Sequence, residues 1–269
     1  MKKILLLAIL AIQISCKSTS PKTPLPTATA DRGVMAKNAM VVSAREEASK
    51  IGLSILQDGG NAFDAMVATE LALAVVYPFA GNLGGGGFMV YRTADGKTGA
   101  LDYREKAPIK ATRDMYLDEN GEVTDKSRSG GLAVGVPGTV AGVFAAHEKF
   151  GSLPMQQILE PVIALAKKGY VVTDKQKENL ENYRDLFFEA NKDTILYAKP
   201  YKTNDTIKNI TLANTLTLLA EKGKKEFYQG RMAETLVNFI QENGGIISLD
   251  DMAAYEARWR TPISIDYKD

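Results

Sequence analysis

The chain has 269 residues, 45% apolar and 24% charged, with 33 basic against 32 acidic side chains. That length and apolar content suffice for a sizeable buried core, and the near-neutral balance excludes wholesale disorder and a nucleic-acid-coating protein. A single cysteine and a single histidine exclude an intrachain disulfide and a Cys/His zinc cage, and a serine or cysteine hydrolase would depend on His147 alone.

Residues 1–16 have the layout of an export signal: Lys2 and Lys3 precede an apolar run over 4–12 that is too short to span a bilayer comfortably. Ser15 directly before Cys16 resembles a bacterial lipoprotein processing site, although Gln13 stands where an aliphatic residue is usual. The expectation is an exported chain, periplasmic or at the cell surface, that begins at a lipidated Cys16; the alternative is a plain cleaved signal with an incidental cysteine. Radioactive fatty acid is expected to label the wild type and not Cys16→Ser, and label that survives the substitution removes the assignment. Residues 17–36, rich in Ser, Thr and Pro, read as a solvated tether, and the folded region is expected over 37–269.

Ser43 and Glu46 spell a capping box, which predicts a helix over 44–58 stopped by Gly59-Gly60. Asn61 can cap a second helix over 62–76, so apolar all round that it should be buried on most sides. Strand-like runs over 88–93 and 98–104 flank the turn residues Ala94-Asp95-Gly96-Lys97 and predict a β-hairpin with Arg104 at its exit. Pro137 suits a first helical position, and the helix it opens should end before Gly151. Helical spacing recurs over 156–168, 174–187, 211–222, 231–243 and 250–257, while 262–267 alternates like a strand with one buried face and no visible partner.

The loudest chemical signal is the run Gly84, Gly85, Gly86 and Gly87, which implies positive φ angles or very close approach by a backbone or ligand. It is not a phosphate loop, since a helix precedes it and a strand follows, the reverse of what a dinucleotide fingerprint needs. Arg104 is the second candidate: a guanidinium at a hairpin exit can hold a carboxylate through two parallel hydrogen bonds, or simply pair with Asp102 and Glu105. His147 reads as structural, Trp259 with Tyr255 as a packing cluster, and Lys222 to Lys225 as a solvated loop. No basic, aromatic-interleaved stretch suggests nucleic acid.

Five stretches stand in the order and spacing of one family: Gly59-Gly60-Asn61-Ala62-Phe63-Asp64-Ala65, residues 81–88, Tyr103-Arg104-Glu105 with Ala107-Pro108, residues 136–142, and Thr261-Pro262-Ile263. Over 37–269 the chain resembles the N-terminal part of a bacterial γ-glutamyltransferase large subunit. The resemblance implies an α/β (α+β) fold, the N-terminal portion of an N-terminal-nucleophile hydrolase αββα sandwich, made as a precursor that cuts itself into large and small subunits. It implies hydrolysis or transfer of the γ-glutamyl group of glutathione and related compounds to water or to amino-acid or dipeptide acceptors. The family's nucleophile is the N-terminal threonine of the small subunit, and no metal or organic cofactor is implied.

Carried over by position, Arg104 matches the arginine that grips the glutamyl α-carboxylate, Glu105 would help hold it, and the glycine run would shape the core beside the pocket. The catalytic threonine of the pattern falls beyond residue 269, so no threonine of this chain is assigned that role and the chain by itself is expected to be inactive. Its own small subunit would be the partner, with membrane contact only through the lipid. The alternatives are a glutaryl or cephalosporin acylase of the same fold, or a non-catalytic lipoprotein that binds amino acids.

Overall fold

The computed structural model describes residues 33–267 apart from Lys192, so the signal, Cys16 and most of the tether lie outside the described residues. Residues 33–39 carry no helix or strand and are exposed, and a separate folded unit runs from Met40.

Helices α1 (Glu46–Gln57) and α2 (Ala62–Val76) open that unit. The capping box expected at Ser43 does not form: Arg45 is the N-cap of α1 and its side chain makes no cap bond. The two side chains have closer partners, since Ser43 Oγ donates to the Arg45 carbonyl at 2.7 Å and Glu46 pairs with Lys50 at 2.7 Å. Asn61 caps α2 as expected, accepting from Phe63 and Asp64, while Asp64 accepts from Asn61 N–H and closes the box. Asp64 is fully buried and also accepts from the amide and hydroxyl of Ser152. Burial pushes its carboxyl up, but the bonds from Ser152, Asn61 and Leu153 outweigh that and hold it below the usual carboxylate range. The Asn61 to Asp64 stretch therefore ties the start of α2 to the link between α3 (Thr139–Phe150) and α4 (Met155–Lys168).

α2 is buried on most sides, as its composition predicts, and packs against α1, α3 and α4. Leu71 and Val75 are almost wholly enclosed, and each such side chain contributes roughly 1.5–3 kcal/mol. α3 begins at Thr139 rather than Pro137, with Gly138 as its N-cap, because the Pro137 carbonyl accepts a hydrogen bond from the Tyr228 hydroxyl. His147 is structural: its Nε2 lies 2.8 Å from the Leu153 carbonyl oxygen.

The hairpin is formed by β1 (Phe88–Arg92) and β2 (Thr98–Asp102), in register from Phe88 opposite Asp102 to Arg92 opposite Thr98. Its inner residues Met89 and Leu101, with Tyr103, pack on Ala146 of α3, whereas Phe88 and Val90 on the outer face are 65% and 73% exposed. The far end of the chain supplies the third strand, but not where the alternation placed it. Arg258–Arg260 pairs with β2, Ala100 opposite Arg260 and Asp102 opposite Arg258, and residues 262–267 form no strand. The reason lies in the anchors: Trp259 packs edge-on against Tyr91 and Phe150, and Arg260 bonds Asp102, while Ile263 and Ile265 meet no packed layer among the described residues.

Between these pieces run β3 (Tyr170–Val171), α5 (Asp174–Asn191), β4 (Thr206–Ile207), α6 (Ile210–Lys222), α7 (Lys224–Gln229), α8 (Arg231–Glu242) and α9 (Leu249–Ala253), followed by the third sheet strand as β5. β3 and β4 form a two-residue ladder too short to show in the sequence pattern. The basic run at 222–225 is not a loop. Gly223, at φ +70°, is the only residue between α6 and α7, and α7 buries Phe227 and Tyr228 while Lys224 pairs with Glu148. The last helix, expected over 250–257, is Leu249–Ala253, capped by a Ser248/Asp251 box.

Candidate functional site

After β2 the chain passes Tyr103, Arg104 and Glu105 directly across the glycine run. Gly87 and Tyr103 exchange two backbone hydrogen bonds of 3.3 and 3.0 Å, which prolong the hairpin ladder by one pair. None of the four glycines has a positive φ, and close approach by a neighbouring segment is what requires Gly86 and Gly87. A Cβ on Gly86 would lie 2.5 Å from the Tyr103 carbonyl oxygen and 2.8 Å from the Glu105 nitrogen, and one on Gly87 would lie 2.9 Å from the Tyr103 ring. Among the described residues, one on Gly85 would meet the Asn82 side chain and one on Gly84 nothing within 4 Å. The Gly85 carbonyl accepts from the amides of Gly138 and Thr139 at 2.7 and 3.0 Å, so the run also fixes the start of α3.

Arg104 is held by its backbone and leaves its side chain in solvent. Its N–H donates to Asp102 Oδ1 at 3.1 Å, its carbonyl accepts from the Tyr255 hydroxyl at 2.7 Å, and its side chain is 65% exposed. The Arg104 N–H above all, with Arg260, holds the Asp102 carboxyl below its usual range against the opposing effect of desolvation. Glu105 is the expected neighbour, with Oε2 3.4 Å from Arg104 Nε. That oxygen is buried and has no hydrogen bond among the described residues, so the contact is an ion pair without hydrogen-bond geometry.

Tyr103, the next residue back, points inward and is 4% exposed. Its hydroxyl donates to the Glu70 carboxyl at 3.1 Å, and burial pushes both groups above their ordinary values. Glu70, Tyr103, Gly86, Gly87 and Thr139 help line a cleft of about 370 Å³ that Arg104 does not line. A larger cavity, about 620 Å³, lies between α3, α7 and the α9–β5 link, walled by Tyr228, Tyr255 and Trp259. Trp259 and Tyr255, expected in one packing cluster, belong to two: Tyr255 stacks on Tyr228 at 5.7 Å, and Trp259 turns to Phe150 and Tyr91, with Lys149 Nζ 3.9 Å over its ring. The geometry thus joins three of the five motif stretches, 81–88, 103–108 and 136–142, around one peptide. Tyr103 was in plain sight within its motif, whereas nothing local in the sequence marks Glu70 or Tyr255.

The family model described as Gamma-glutamyltranspeptidase matches residues 48–269. The chain belongs to this family. It is 46% identical over 240 residues to the glutathione hydrolase proenzyme of Escherichia coli (strain K12), a match that covers 87% of this chain and 41% of that protein. Among solved structures, the Helicobacter pylori gamma-glutamyltranspeptidase superimposes with a TM-score of 0.84 at 42% identity, covering 87% of this chain and 69% of that one. The cephalosporin acylase from Bacillus halodurans is more distant, at 27% identity with a TM-score of 0.76, covering 94% of this chain and 48% of that one. The fold is that of the N-terminal-nucleophile hydrolases, as the motif order implies, and the chain spans about two fifths of the curated relative's length.

Proposed function

We propose that the complete protein is a γ-glutamyltransferase with glutathione hydrolase activity. Glutathione and other γ-glutamyl compounds are the donors, and water, amino acids or dipeptides the acceptors. A threonine released at the N-terminus of a small subunit attacks the γ-glutamyl amide, its own α-amino group takes the proton, and backbone amides hold the oxyanion before the acyl-enzyme is resolved. Residues 37–269 belong to the large subunit, behind a tether over 17–36 and a lipid on Cys16 that keeps the exported enzyme at a membrane.

The observation that carries this reading is Arg104: a backbone fixed at both its N–H and its carbonyl, and an exposed guanidinium loosely paired with Glu105. That combination suits the capture of a substrate carboxylate, with Glu105 beside the arginine and the glycine run beneath its peptide. The 46% identity to a glutathione hydrolase proenzyme supports the same donor class, and no observation favours an acylase or a binding lipoprotein over it. The complete protein is expected to split into two subunits on a denaturing gel and to release the anilide from a γ-glutamyl anilide, while residues 1–269 expressed alone release none. Turnover by residues 1–269, or a split protein without turnover, would sink the proposal.

A further inference from the structure

Residues 251–260 fold back on the segment that bears Arg104. Asp251 Oδ1 accepts the Ile109 N–H at 2.6 Å, the Tyr255 hydroxyl donates to the Arg104 carbonyl at 2.7 Å, and Arg260 Nε donates to Asp102 Oδ2 at 2.7 Å. The other Asp102 oxygen accepts the N–H of Arg104 itself. Both backbone polar groups of Arg104 are thereby governed from one distant stretch, directly at the carbonyl and through Asp102 at the amide.

Tyr255 has little freedom to leave this contact. Its ring lies on Tyr228 with the planes 8° apart, and Tyr228 is itself fixed, donating to the Pro137 carbonyl and accepting from the Ala141 amide. A Cβ on Gly138 would overlap both the Tyr255 hydroxyl and the Tyr103 carbonyl oxygen, so the phenol is wedged between the start of α3 and the Arg104 peptide. Burial, with Asp102 and Glu105 nearby, pushes the phenol up to about 12, which keeps it a donor throughout ordinary assay conditions. Among the described residues the guanidinium side chain is 65% exposed, so its aim depends on the peptide from which it projects.

We infer that Tyr255, seconded by Arg260 acting through Asp102, is a positioning residue for γ-glutamyl recognition, fixing the Arg104 peptide so that the guanidinium meets the substrate carboxylate. The inference rests on the reading of Arg104 as the carboxylate grip. Tyr255→Phe keeps the ring and its stack and removes only the hydroxyl. In the complete, processed enzyme the KM for a γ-glutamyl anilide is expected to rise roughly five- to twentyfold, with kcat within about twofold. KM does not depend on how much of the preparation is active, so a modest loss of folded yield does not cloud it. The same substitution in an Arg104→Ala background is expected to leave KM where Arg104→Ala puts it, whereas a merely structural tyrosine would act alike in both backgrounds.

Arg260→Met, at an exposed side chain, is expected to raise KM about threefold, and it carries the test if Tyr255→Phe does not fold. Wild-type KM in the folded variants, or an equal effect of Tyr255→Phe with and without Arg104, overturns the inference. An Arg104→Ala enzyme with unchanged KM overturns instead the reading on which it rests.

Discussion

Arg104→Lys in the complete enzyme is expected to lower kcat/KM for γ-glutamyl donors by about 2–4 kcal/mol in transition-state binding, although the charge is kept. Two features of the structure make the conservative change costly. The Arg104 backbone is tied to Asp102 and Tyr255, so the chain cannot shift to let a shorter ammonium reach further. Among the described residues the side chain's ion-pair neighbour is Glu105 at 3.4 Å, so a lysine there has an acidic neighbour to collapse onto, whereas the guanidinium fork can face that neighbour and a substrate carboxylate together. A grip on a carboxylate distant from the scissile amide acts alike in ground and transition states, so the loss should show mainly in KM. Steady-state kinetics on the processed enzyme checks this, and an unchanged kcat/KM refutes the assignment of Arg104.

Much of this architecture was legible because local chemistry and tertiary packing agree. Asn61 spells a cap that forms, the apolar run of 62–76 demands the burial α2 receives, and Ala94-Asp95-Gly96-Lys97 makes the hairpin turn. Reading failed where a side chain had two uses. Ser43 and Glu46 match a capping box, yet Arg45 and Lys50 lie within reach and take them. The alternation over 262–267 forms no strand, and pairing fell to Arg258–Arg260, where Trp259 and Arg260 have something to hold. The candidate site was half legible for a related reason. Arg104 and the glycines each sit in a short, recognisable motif, but Tyr255 is 151 residues from the carbonyl it bonds, and no periodicity encodes a contact across that span.

The glycine run invites the second prediction, since four identical residues do unequal work. Gly86→Ala is expected to destabilise the protein by roughly 2–4 kcal/mol, because its Cβ would press on the Tyr103 carbonyl and the Glu105 amide, backbone atoms already locked by Gly87 and Tyr255. Relief requires the Arg104 peptide to move, so KM for γ-glutamyl donors should rise in whatever fraction remains folded. Gly84→Ala, two residues away, meets nothing within 4 Å among the described residues and has no positive φ. It is expected to fall within about 0.5 kcal/mol of the wild type, or to gain slightly from a stiffer unfolded chain. Thermal unfolding of both variants of the complete protein decides the matter. Equal losses would mean that the run is held by elements other than the 103–105 segment, and a stable Gly86→Ala would mean that this peptide has slack which the observed contacts do not allow it.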